Sequence, residues 1–228
     1  MEREESSGIS TFTEGLYLLA RYRLIAIVIA VTTAIAALFL VILLVGTGFI
    51  ISAPLAPMFT FYEAMPLFTL FGMITILAVT IIGLGISLLF QYRGARKFRE
   101  AVDHSEGDWA RDYGTPATLI YYGSLLALAG VVTLIILVGA ILLLLGLILV
   151  VAGDLLLGMN LRRSIRLLET PGLLIMIGAA MLLLSILPFL GFLSLPGLIL
   201  EAIGFYMIYT TAPRIREEAV STQGQSQP

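Results

Sequence analysis

The stretch LIYYGSLLALAGVVTLIILVGAILLLLGLILVVAGDLLLGM, residues 119–159, decides how the chain is threaded. Its 41 residues are almost all apolar, and Asp154 is the only charge among them. As a single helix it would be ~60 Å long, about twice the thickness of a bilayer core. It is therefore one span with a large apolar surplus, or two spans joined by an almost unmarked turn.

The rest of the chain explains why a bilayer is the frame of reference. The 228 residues are 59% hydrophobic and 12% charged, and mean hydropathy is +1.04. A soluble domain carries about 25% charged residues. Too little polar surface is present to cover a globule, so the chain reads as an all-α integral membrane protein. A net charge of −2, with the basic residues in short clusters between apolar runs, gives no case for nucleic acid. With no cysteine, disulfides, Cys-ligated metal clusters and a thiol nucleophile are excluded. A lone histidine, His104, does not make a His-based metal or haem site. The acidic start, Met1-Glu-Arg-Glu-Glu, lacks the features of a cleaved signal, so the first span is expected to be retained.

Short membrane-flanking loops keep Lys and Arg on one side, and this rule arbitrates the threading. Three basic residues precede the first apolar run, none lies in residues 46–66, five lie in 91–116, three in 161–170, none in 188–196 and two in the tail. One crossing for residues 119–159 gives five spans and splits the 13 basic residues eight to five; two crossings give six spans with all 13 on one side. Six spans are preferred, at roughly 24–45, 67–90, 119–138, 139–158, 172–187 and 197–211, paired as three hairpins. The turn is expected near Val138-Gly139-Ala140, where glycine can end a helix.

An internal repeat supports the same division. Thr115-Pro-Ala-Thr-Leu-Ile-Tyr-Tyr-Gly123 matches Thr170-Pro-Gly-Leu-Leu-Ile-Met-Ile-Gly178 at five of nine positions. Gly139 and Gly146 align with Gly197 and Gly204 on the two return helices. The last two hairpins thus read as parallel copies, each rising from a Thr-Pro helix start. Residues 1–23 form a tail and interfacial lead-in, with Thr11 and Glu14 as a capping box and Arg21 and Arg23 as anchors. Trp109 and Tyr113 are expected at the headgroups. Residues 213–228 are expected to be disordered.

Charges inside spans are the default functional candidates. Asp154 and Glu201 are the two. On this threading they lie near opposite faces of the membrane and do not form one carboxylate pair. Asp154 is expected to pair with an arginine of a neighbouring loop, near Arg162 and Arg163. Glu201 is a proton or cation ligand, or a carboxylate at headgroup level bonded to a tyrosine or threonine. Gly139, Gly146 and Gly153, with Gly197 and Gly204, recur at seven-residue spacing and mark helix-packing faces, within the bundle or against a partner. Arg93, Arg96, Lys97, Arg99, Arg162, Arg163 and Arg166 form the basic, cytoplasmic-side anchors, with both termini on that side of the cell membrane. No catalytic constellation, metal site or cofactor motif is present. His104 and Ser105 are adjacent but unpositioned for catalysis.

The hairpins with the short Arg-bearing loop Gly158-Met-Asn-Leu-Arg-Arg, followed by the run 177–192, resemble uncharacterised archaeal multi-pass membrane protein families, domains of unknown function. The resemblance spans residues 119–211. It implies an archaeal source, in line with one lysine against 12 arginines and a single asparagine, and brings no functional residues. The expectation is a non-enzymatic protein that contacts lipids and associates with other membrane subunits or with itself, as an accessory or structural component. The other reading is a small transporter or channel using Glu201.

Overall fold

A computed structural model describes residues 2–52, 60–105, 108–134, 137–164, 166–187 and 189–225. All the long elements are helices: α1 (Glu2–Ser52), α2 (Thr60–Asp103), α3 (Asp108–Val132), α4 (Leu137–Ser164), α5 (Glu169–Leu184) and α6 (Ser194–Gln225). Single 3-10 turns at Arg166–Leu168 and Gly191–Leu193 introduce α5 and α6. Each of the six contains a segment long and apolar enough to cross a bilayer. Among the described residues the chain is an all-α multi-pass membrane protein of six long helices, and residues 119–159 run from α3 into α4.

Helix ends differ from the apolar boundaries in an instructive way. α3 ends at Val132 and α4 begins at Leu137, so the chain reverses about one helical turn before the expected Val138-Gly139-Ala140. The Thr133 and Leu134 N–H groups close the end of α3 on the Ala129 and Val131 carbonyls, and the Thr133 hydroxyl donates to Ala129 O at 2.8 Å. Gly139 is not the helix stop. It lies inside α4, where a Cβ would come within 2.2 Å of Thr133 O. Similarly, α3 begins at Asp108 rather than at its Thr-Pro pair, so Pro116 is interior. A helical proline cannot donate to the carbonyl four residues back, which here is Asp112. The Asn160 amide of α4 donates to that carbonyl instead. Thr11 lies inside α1, not at its cap, and α6 runs on to Gln225 through residues expected to be disordered.

The chain divides into two compact units, one formed by residues up to 26 and from 88 onward, the other by Ile27–Ser87. In the smaller unit α1 and α2 pack antiparallel, Gly83 on Thr33 and Gly72 on Leu44. Its outer surface is Ile35, Leu38, Phe39, Ile42, Phe71 and Met73, all exposed, as a lipid-facing surface should be. Thr32, Thr33, Thr75 and Thr80 return their hydroxyls to carbonyls of the preceding turn, so these four do not face hydrocarbon unpaired. The connector near Pro54 and Pro57, and the side chain of Trp109, lie outside the described residues.

In the larger unit one core joins all six helices: Phe12, Leu16 and Leu19 of α1, Ala95 and Phe98 of α2, Tyr113 and Ile120 of α3, Leu157 and Leu161 of α4, Ile175 of α5, and Phe205 and Ile208 of α6. Tyr113, expected at the headgroups, is buried in it with its ring 4.6 Å from that of Phe12. The glycines expected as packing faces are all spent within the chain. Gly123 meets Gly146 across α3 and α4, Gly158 meets Gly172 across α4 and α5, and Gly178 meets Gly197 across α5 and α6. In each pair an added Cβ would stand 2.6–3.0 Å from the partner's carbonyl oxygen. Close backbone approach of this kind replaces the hydrophobic force that lipid does not supply.

The packing also revises the expected alignment of the two return helices. Gly146 and Gly197 both face a glycine of the preceding helix. Gly153 and Gly204 both abut an isoleucine (Ile120, Ile175) and a proline carbonyl (Pro116, Pro171). By packing surroundings, Gly146 resembles Gly197 and Gly153 resembles Gly204, in place of the expected 139 with 197 and 146 with 204. The sequence comparison had no way to measure the stretch between facing glycines, which is four residues longer from Gly123 to Gly146 than from Gly178 to Gly197.

Candidate functional site

The buried stripe of α1 follows a helical period: Phe12, Leu16, Leu19 with Ala20, then Arg23 and Ala26. Arg23 occupies a core position on that stripe. Only 6% of it is exposed, so it is not an interfacial anchor. Arg21, two residues away, is exposed on the other side of the helix.

Two elements deliver the counter-charges. Asp154 sits on α4 beside Gly153, where the close approach of α3 leaves no room for a larger neighbour. Glu201 sits on α6, its backbone against Gly178. Both are buried, Asp154 at 0% and Glu201 at 2% exposure. A single nitrogen, Nη2 of Arg23, donates to Oδ2 of Asp154 and to Oε1 of Glu201, the latter at 3.1 Å. The Phe205 ring lies 5.7 Å from the same guanidinium. About two turns further out Tyr17 stacks on Tyr209, with ring centroids 5.0 Å apart. Together, Tyr17–Tyr209 and Arg23–Glu201 fix α1 antiparallel to α6.

This corrects the expectation that the two acids lie on opposite faces. The error came from ending helices where apolar residues end. Glu201 is seven residues inside α6, ~10 Å from its start, and Asp154 is ten residues inside the end of α4, ~15 Å. Those extra turns carry both acids inward until they meet. The partner of Asp154 is Arg23 and not Arg162 or Arg163, which are exposed. Sequence reasoning missed Arg23, though a signal existed. Two acids inside spans need a cation, and Arg23, unlike Arg21, continues the helical register of Phe12, Leu16 and Leu19.

Oδ1 of Asp154 is buried with no hydrogen-bond partner among the described residues. Formal charge at the site is one positive against two negative. A second polar contact, Gln91 Nε2 to Ser124 Oγ at 3.3 Å between α2 and α3, is buried and neutral.

The remaining candidates are dispersed. Thr210 is exposed and returns its hydroxyl to Tyr206 O and Met207 O, so it does not line the site. His104 closes the end of α2 through Nδ1 on Glu100 O at 2.6 Å, and the Ser105 hydroxyl donates to Ala101 O. Neither is aimed at the other. Arg96 and Lys97 pair with Glu100 at 2.8 and 2.9 Å, and Arg99 approaches Asp103 and lies over the Tyr121 and Tyr122 rings. Arg93 lies beside Phe90, and Arg162, Arg163 and Arg166 are exposed. No protein-family model, curated protein or solved structure matches the chain.

Proposed function

We propose that the protein is a small, non-enzymatic transporter or channel of the cell membrane, with Glu201, Asp154 and Arg23 as its ion-responsive centre. The observation that carries this reading is the triad itself. Charges deep in a membrane bundle are costly. Apolar residues of similar volume would hold the helices together at least as well. A triad with unequal charges makes sense where ions must enter, leave or be sensed. The reading as an accessory subunit draws on many glycine packing faces and few polar groups inside the spans; the glycine faces are occupied by the chain's own helices. On the same reading both termini are cytoplasmic, which the basic residues at the ends of α2 and α4 support.

The two hairpins α3–α4 and α5–α6 are, on this proposal, copies of one unit. Support comes from the matched glycine contacts. In that register Asp154 corresponds to Phe205, and both lie against Arg23. Glu201 corresponds to Val150, one helical turn earlier on the same face. A duplicated hairpin that has kept an acid in a different place in each copy is a pattern suited to transport across a repeat interface.

The test is capacitive current recording on the purified protein in supported proteoliposomes, with rapid jumps of pH and of solutes of each charge class. The proposal expects a current that Glu201→Gln abolishes. No current under any jump, together with partner chains copurifying in fixed stoichiometry, would establish the accessory reading instead.

A further inference from the structure

We infer that Asp154 and Glu201 together hold one exchangeable proton, seated on Oδ1 of Asp154. The inference takes the triad as the working centre proposed above, but it does not require that anything be transported.

Geometry and charge carry it. Two carboxylates bonded to one nitrogen lie within ~6 Å of each other, two hydrogen-bond lengths. Only one of them can be balanced by Arg23. The excess negative charge is buried on all sides. The charged groups that meet there are Arg23 from α1, Asp154 from α4 and Glu201 from α6; next to Asp154 and Phe205, Gly153 packs on Ile120 of α3 and Gly204 on Ile175 of α5, both apolar. Burial of an unbalanced carboxylate is relieved by taking up a proton. Two carboxyls within reach of each other share it as a pair.

Oδ1 of Asp154 is where it belongs. As part of an anion, this oxygen is buried without a donor. As the hydroxyl of a neutral acid it carries far less charge to solvate. Oδ2 then remains the carbonyl-like acceptor of Arg23, and Glu201 remains the counter-ion. In the exchange a hydronium ion gives up an O–H bond, the carboxyl forms one, water leaves, and no redox partner is needed. A metal ion is a poorer fit. Among the described residues no three His, Cys, Asp or Glu side chains converge, and hard cations take six or more oxygens.

The full-length protein in lipid vesicles tests this by infrared difference spectroscopy of the protonated-carboxyl C=O stretch at neutral pH, with H2O/D2O exchange. Wild type should show the band at one carboxyl per chain. Asp154→Asn and Glu201→Gln should each remove it, since each leaves Arg23 with one carboxylate. Arg23→Gln should raise it about twofold; should that variant not fold, the two acid variants decide. A wild-type chain without the band, one whose band neither acid variant alters, or one whose band appears only on removal of sodium overturns the inference. A band without currents overturns the transport reading alone, and currents without a band overturn the proton alone.

Discussion

At the scale of single residues, the molecule depends on polar groups that reach a partner on another helix. Arg23→Gln leaves both acids buried without a cation, so that each must hold a proton. Breaking a buried ion pair costs about 3–5 kcal/mol, and the loss should show as a lowered unfolding temperature in detergent. Acid should restore much of it: the folded variant holds protons that the unfolded carboxyls release above about pH 4, so its stability should rise as the pH falls from neutral, more steeply than in wild type, which holds one such proton. Asn160 carries a smaller and more local role. With Asn160→Ala the Asp112 carbonyl loses its donor, at about 1 kcal/mol. Pro116→Ala gives that carbonyl a backbone donor again. The asparagine change should therefore cost almost nothing in the Pro116→Ala background, and a double-mutant cycle of thermal stabilities checks it. The importance of Asn160 was not legible in the sequence, because it depends on which helix lies beside a proline.

At the scale of elements, hydropathy located every helix but not its ends. A bilayer selects apolar residues over ~20 positions, whereas a helix continues as long as its backbone bonds are made. Arg23, Asp154 and Glu201 were therefore all assigned near membrane surfaces while their helices carried on past them. Glycines tell the same story in packing. Their spacing was visible, but which helix each one meets was not. Gly146→Ala puts a Cβ 2.3 Å from the Ala127 backbone nitrogen and should cost ~1–3 kcal/mol as α3 and α4 are pushed apart. Gly114→Ala, also within a helix but with nothing within 4 Å, should stabilise by about 0.5–1 kcal/mol. Opposite shifts in unfolding temperature separate contact glycines from merely permissive ones.

At the scale of the whole molecule, the number of spans was readable because it rests on sums, apolar length and total charge per loop, which tolerate local error. Six crossings place the turn between α3 and α4 on the side of the first connector. The absence of native cysteine allows a direct test. Single cysteines at Leu134 and at Pro57 should react with an impermeant reagent from the same side. One at Arg163 should react from the other, and accessibility of Leu134 together with Arg163 would sink the six-span threading.

The separation of the triad along the chain has a consequence for biogenesis. Arg23 precedes Asp154 by 131 residues and Glu201 by 178. At ~5–20 residues per second of synthesis, α1 waits on the order of ten seconds for its first counter-charge and longer for its second. During that interval the ribosome has delivered a helix with an unpaired arginine on its buried stripe. The first helix can be threaded early but docked only late, so nascent chains stalled before α6 should be the ones that quality-control proteases remove.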